Sequence, residues 1–154
     1  MFRSGRFVSQ HVSPIVDEQV QPNGVDITVD RVERPLGGGH IARDGKTIGE
    51  REAIQPTNGC FELEPGTYVV GYGERLRVPN EHVGYLLPRS SLLRNGTTVH
   101  TAVWDTGYEG RGEGMLAVGA PIAIDVGARI AQFVLAAADH AGVYDGTYQG
   151  ERLE

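Results

Sequence analysis

The chain has 154 residues with a net charge of -6, 40% apolar and 22% charged residues, 22 glycines and a single cysteine. That suits one domain with enough apolar matter for a core, which excludes wholesale disorder, and the negative balance does not favour nucleic-acid polymers as partners. The lone Cys60 excludes an internal disulfide framework and a Cys-based zinc knuckle, and points to a reducing, cytoplasmic setting.

Met1-Phe2-Arg3-Ser4-Gly5-Arg6 leads into a polar stretch with no apolar run behind it, so no secretory signal is expected. A short helix is expected near Arg6 to Val12. After the turn Gln21-Pro22-Asn23-Gly24, Val25, Ile27 and Val29 alternate with Asp26, Thr28 and Asp30, the period of a half-buried strand. Leu36 to Arg51 is glycine-rich and charged, with Asp44-Gly45 as a hairpin turn, and reads as a surface excursion. Further strands are expected over Thr67–Tyr72, Val83–Leu87, Thr97–Trp104, Met115–Val118, Pro121–Ile124 and Arg129–Leu135. A second short helix is expected over Ser90–Arg94, ended by Asn95-Gly96 in the left-handed region. The most apolar segment, Ile130 to Ala138, is far too short to span a bilayer, so no membrane association is expected. The tail from Gly142 to Glu154 has weak periodicity and reads as a flexible C-terminal arm. Many short strands, turn signals between them and one or two short helices predict a single all-β domain over 1–154, a sandwich or a barrel.

Five segments carry candidate chemistry. In Pro88-Arg89-Ser90-Ser91-Leu92-Leu93-Arg94 a strand runs into a helix opened by two serines, so backbone N–H groups, hydroxyls and the Arg89 guanidinium converge where phosphate oxygens would bind. A capped helix with surface arginines would look the same. In Ala102-Val103-Trp104-Asp105-Thr106-Gly107-Tyr108 a tight turn between two strands would carry a carboxylate and an aromatic ring. Its backbone N–H and C=O groups could read a flat base while Asp105 orients water; an Asp chosen only for turn geometry is the plain alternative. Asp26 is a poor choice for a buried strand position unless it binds something. Gln132 sits in an apolar strand, where a satisfied structural amide is the usual finding. The fifth segment is Tyr144-Asp145-Gly146-Thr147-Tyr148-Gln149-Gly150. The five histidines have no ligand-like spacing, so zinc is not expected.

Taken in this order, the segments resemble the dUTPase and dCTP deaminase superfamily from about Gln21 to Gly150. Gln-Pro-Asn-Gly-Val-Asp and the closing Tyr-Gln-Gly are similar to its archaeal, deaminase-like branch. The resemblance implies a distorted, dUTPase-like β-barrel of the β-clip or jelly-roll kind, a homotrimer with active sites at subunit interfaces, and a magnesium–nucleoside triphosphate substrate. By the same resemblance Arg89, Ser90, Ser91 and Arg94, joined by Gln132, hold the triphosphate. Asp26 then lies near Mg²⁺ as an outer-shell group and near the sugar 3′-hydroxyl. Ala102, Val103 and Trp104 read the pyrimidine, Tyr108 packs on the deoxyribose, Asp105 activates water, and Tyr144, Tyr148 and Gln149 close over the nucleotide.

Two activities share the resemblance. Deaminases of the superfamily place a proton-shuttling glutamate ten positions after the hairpin aspartate; here that position is Met115, which can neither take nor give a proton. Glu113 precedes it by two positions, on the same face of a regular strand. Thr147 and Glu151 stand where deaminase-like members carry Lys and Gln. The expectation is therefore a cytoplasmic dUTP diphosphatase releasing dUMP and pyrophosphate, which keeps uracil out of DNA. The alternatives are a dCTP deaminase, a bifunctional deaminase–hydrolase, and a non-catalytic nucleotide-binding trimer.

Overall fold

The computed structural model describes residues 1–153; Glu154, the last residue of the expected arm, lies outside the described residues. The centre of the fold is the 14-residue strand Gly24–Gly37. Val25, Ile27 and Val29 point inward as their alternation predicts, and the next inward residue is Val32. The phase changes because the register slips between Val29 and Arg31, a bulge that moves the apolar side from odd to even positions.

This strand joins two runs of antiparallel pairing. One side carries Arg129–Ala137 and then His82–Pro88; the other carries Gly66–Tyr72, Glu113–Val118 and Thr97–His100. The outermost strands approach each other where Gly84 exchanges two backbone hydrogen bonds with Trp104, at 2.8 and 3.2 Å. Those bonds nearly close the sheet into a barrel. Val12–Ser13, Arg75–Arg77 and Glu109–Gly110 form a small second sheet, and Cys60–Leu63 pairs with Ile122–Asp125. The excursion carries the expected hairpin, with His40–Ile41 paired to Lys46–Thr47, and returns through Glu50–Ala53 along the central strand. Among the described residues no helix is long and apolar enough to cross a membrane.

The expected elements are present with two differences. Helical turns occupy Gly5–Val8 and Ser9–His11, and Ser90–Arg94 is a helix stopped by Gly96 at φ +69°. The strand expected over Thr97–Trp104 ends at His100, which faces Met115; beyond that pair the chain leaves the Glu113–Val118 strand, which stays paired with Gly66–Tyr72, and Trp104 reaches Gly84 instead. Asp105-Thr106-Gly107 does turn tightly, since the Tyr108 N–H donates to the Asp105 carbonyl (3.1 Å) with Gly107 at φ +86°. The flanks of that turn do not pair with each other, however. Trp104 pairs with Gly84, and Glu109–Gly110 pairs with Arg77 and Leu76. Residues 101–112 are therefore a wide arch, not a two-stranded hairpin.

The arch is seated by aromatic rings. Trp104 is buried between Tyr72 (centroids 6.3 Å apart), Phe133 (6.2 Å) and Tyr108 (4.8 Å), at the tilted and edge-on angles that aromatic rings prefer. Room for them comes from alternate glycines. A Cβ on Gly110 would lie 2.6 Å from the Tyr108 hydroxyl, one on Gly112 2.1 Å from the Trp104 ring, and one on Gly114 2.3 Å from the Tyr72 hydroxyl. Gly112→Ala should therefore force the indole out of its seat at a cost of about 1–3 kcal/mol. Thermal unfolding should register this as a midpoint lower by about 2–4 °C per kcal/mol. A midpoint equal to that of the wild type would mean that the ring is not held by this strip.

Candidate functional site

The candidate residues fall into two groups. The first surrounds a pocket of about 200 Å³. The arch supplies Ala102, Val103, Trp104, Asp105 and Tyr108; the tail supplies Tyr144, Tyr148 and Glu151; the outer face of the sheet supplies Arg51 and Glu113. Ala102 and Val103 are exposed, and their backbone groups make no hydrogen bond among the described residues, so they are free to pair with a ligand. Trp104 lines the pocket differently from the expectation. Its ring is core and its own N–H and C=O are spent on Gly84, so it fixes the arch without offering its backbone. Asp105 is exposed, with no hydrogen bond or ion pair to its carboxylate among the described residues.

The tail is laid over this arch by its main chain. The Tyr144 N–H donates to the Thr106 carbonyl (2.7 Å), and the Gly150 N–H to that of Glu109 (2.8 Å). The Gln149 amide takes the Glu109 N–H at 3.0 Å and donates to the Gly107 carbonyl at 2.9 Å. Arg152 donates to the carbonyls of Tyr72, Arg111 and Gly112 at 3.1–3.3 Å and pairs with Asp30 at 2.8 Å. It fits because Gly71 is bare: a Cβ there would lie 2.5 Å from its Nη1. These anchors belong to residues distant in sequence from the tail. Lys46 of the excursion lies over the Tyr148 ring at 4.4 Å, a cation–π contact between hairpin and tail. The Tyr108 hydroxyl donates to Glu151 (2.8 Å). Burial pushes the Glu151 carboxyl above its ordinary range and the Tyr108 hydroxyl well above its own.

Glu113 is clamped. Arg31 donates to its Oε1, and Arg51 Nη1 donates to its Oε2 at 2.7 Å while also reaching Glu33 at 3.4 Å. Burial raises the Glu113 carboxyl, but the hydrogen bonds and charges of Arg51 and Arg31 outweigh it and hold the group below the usual carboxylate range.

The second group lies on the Gly24–Gly37 and Arg129–Ala137 strands and the helix beside them. Asp26 is 1% exposed, and two arginines meet the same oxygen, Oδ2: Arg89 Nε at 3.3 Å and Arg129 Nη1 at 3.4 Å. Gln132 faces Asp26 directly across the two strands. Arg89 is fixed by its own N–H, which donates to the Ile130 carbonyl (2.9 Å). Ser90, Ser91 and Arg94 are exposed on the helix. None of these residues lines the pocket that contains Asp105. Within one chain the cationic group and the carboxylate are two separate surfaces.

Sequence reasoning missed Arg51, Arg31 and Arg129. Arg129 stands in the turn-to-strand segment that yielded Gln132, so its position was in view. Arg51 carried no local signal, because its place depends on Glu50–Ala53 returning along the central strand.

A model of the family described as dCTP deaminase-like matches residues 3–138. The chain is 49% identical to the "Probable deoxyuridine 5'-triphosphate nucleotidohydrolase" of Halobacterium salinarum, over 100% of this chain and 97% of that one. It is 42% identical to the protein of the same name from Aeropyrum pernix, over 87% of each. Among solved structures, the 2'-deoxycytidine 5'-triphosphate deaminase from Agrobacterium tumefaciens shares the fold, with a TM-score of 0.63 at 20% identity. That match covers 84% of this chain and 44% of the longer one.

Burial raises the Asp26 carboxyl by more than Arg89 and Arg129 lower it. The folded protein thus binds that proton more tightly than the unfolded chain, so this residue's contribution to stability falls as pH rises through the window above the ordinary carboxylate value. At neutral pH its charge is a net cost to the fold. Asp26→Asn should raise the unfolding midpoint at pH 7 and flatten the loss with pH above that value. A lower midpoint for the variant at pH 7 would show that the two arginines, both about one third exposed, need the charge more than the core resists it.

Proposed function

We propose that this chain, which belongs to the dCTP deaminase-like family, is a dUTP diphosphatase that hydrolyses dUTP to dUMP and pyrophosphate. The observation that carries the choice of hydrolysis over deamination is the state of the pocket's acids. Met115 stands where a proton shuttle would be needed, and both oxygens of Glu113 are held by arginines that keep it ionised. Such a carboxylate is a poor acid and an occupied base. Asp105, by contrast, is unpaired and open to water.

In this reading the pocket takes the base and sugar. Ala102 and Val103 offer free backbone groups to the pyrimidine, and the buried Tyr108 ring backs the deoxyribose. Asp105 takes a proton from a water aligned on the α-phosphorus. The new O–P bond forms as the bond to the bridging oxygen breaks, and the electron pair leaves with pyrophosphate. Arg89, Ser90, Ser91, Arg94 and Gln132 bind the phosphates, and Arg129 joins them through the oxygen of Asp26 that it shares with Arg89. A pocket of about 200 Å³ is smaller than the roughly 300–1,000 Å³ that encloses a nucleotide-sized ligand. The separation of the two groups within one chain fits completion of the site by a second copy, as in a homotrimer with interfacial sites. Tyr144 and Tyr148 then close over the nucleotide, and Gln149, its amide spent on Glu109 and Gly107, ties the tail to the arch beside them.

Among the described residues no three His, Cys, Asp or Glu side chains group as a metal cage. Asp26 gives one oxygen to arginines and keeps Oδ1 for a metal-bound water, which fits an outer-shell role and no more. The ion would ride on the triphosphate and neutralise its oxygens. A reducing, cytoplasmic location fits the single thiol.

Asp105→Asn should keep nucleotide binding and lose about 10²–10⁴-fold in pyrophosphate release, the usual contribution of a general base. Turnover near the wild-type rate would remove Asp105 from that role. Arg89→Ala should weaken binding of a non-hydrolysable dUTP analogue by about 10- to 100-fold and leave dUMP nearly unaffected, because each lost bond is to a charged oxygen. Equal losses for both ligands in calorimetry would place Arg89 outside the phosphate group. Incubation with dCTP and Mg²⁺ should yield no ammonia.

A further inference from the structure

One feature of the pocket has no part in the hydrolysis described above: the Arg51–Glu113 pair on its wall. Neither side chain is free to turn. Glu113 is gripped at both oxygens, by Arg31 and by Arg51, and Arg51 is tied in addition to Glu33. Both side chains keep about one quarter of their surface open, 26% for Arg51 and 22% for Glu113. The wall therefore presents a donor beside an acceptor in a fixed order, on the same pocket as the unpaired backbone of Ala102 and Val103.

A uracil edge carries an acceptor at O4 next to a donor at N3–H, and cytosine carries the reverse, an amino group next to a bare N3. A hydroxyl or a free amide could rotate to suit either; a guanidinium and a carboxylate locked to each other cannot. The geometry points to the Arg51–Glu113 pair as a specificity determinant that accepts uracil and rejects cytosine, with Arg51 donating to O4 and Glu113 accepting from N3–H. This inference rests on the reading that the pocket takes the base of a deoxyuridine nucleotide. It gives Glu113 a use that needs its charge fixed, where a proton shuttle would need that charge to change. Cytosine would set its amino group against Arg51 and its lone pair against Glu113, donor facing donor and acceptor facing acceptor. Sites built on such pairing discriminate through the groups that the wrong ligand leaves unpaired.

The test is Glu113→Gln, whose amide can turn to serve either base. Calorimetric binding of dUMP and dCMP should show the wild type preferring dUMP, and the variant should lose that preference about tenfold or more, largely through tighter dCMP binding. The ratio of kcat/KM for pyrophosphate release from dUTP and from dCTP should fall by a similar factor, with the effect in KM. Arg51→Lys carries the same test from the donor side, since a single ammonium cannot hold Glu113 and face the base together. It also decides the matter should Glu113→Gln fail to fold. A preference unchanged within about twofold in a folded variant overturns the inference. A wild type that binds dUMP selectively without hydrolysing dUTP would instead overturn the proposed reaction and leave the base reading standing.

Discussion

The position of Trp104 governs the rest of the molecule. Its backbone closes the barrel onto Gly84, and its ring fills the space between Tyr72, Phe133 and Tyr108. One residue thus couples the core to the surface, because Ala102, Val103 and Asp105 stand on the same short segment. Fixing Trp104 inside aims its neighbours outward with their polar groups free. The alternate glycines at 110, 112 and 114 are the other half of this device. They clear one face of the returning chain for aromatic rings, while Arg111, Glu113 and Met115 occupy the opposite face. The requirement that seats the indole also delivers Glu113 to the pocket wall.

Buried charge is treated in two opposite ways. Asp26 is enclosed more than it is compensated, so its carboxyl is pushed up. Glu113 is compensated more than it is enclosed, so its carboxyl is pulled down. The difference lies in contact: Arg89 and Arg129 approach one Asp26 oxygen at 3.3 and 3.4 Å, whereas Arg51 meets Glu113 at 2.7 Å with Arg31 on its other oxygen. The two carboxyls thus lie on opposite sides of the ordinary range for one reason, the closeness of the guanidinium groups that meet them.

The fold was legible where a residue's role depends on its neighbours in sequence. Val25, Ile27 and Val29 alternate, the Ser90–Arg94 helix stops at a glycine, and Asp26 stands out as an acid among strand residues. Reading failed where the role depends on a distant partner. The strand beginning at Thr97 stops at His100 because the chain leaves its neighbour to reach Gly84 through Trp104, although Thr101 to Trp104 have ordinary strand composition. The contacts of the tail carry no local signal either, because Arg152 is held by carbonyls of Tyr72, Arg111 and Gly112, groups that every residue possesses. Arg51 looked like one more charge on a surface excursion, and only the return of Glu50–Ala53 along the central strand brings it to Glu113.

The tail is attached along its length, not at one point. Its anchors are mostly main-chain atoms of the arch and the Arg152 carbonyl contacts, so they are spent on the arch itself and not on pocket side chains. The residues that face the cavity are held as well: the Tyr148 ring by Lys46, and Glu151 by the Tyr108 hydroxyl and by the Arg111 N–H, which donates to its carbonyl at 2.9 Å. The Tyr108–Glu151 bond pairs a phenol with a carboxyl that burial has raised, and neither partner gains a full counter-charge from the other.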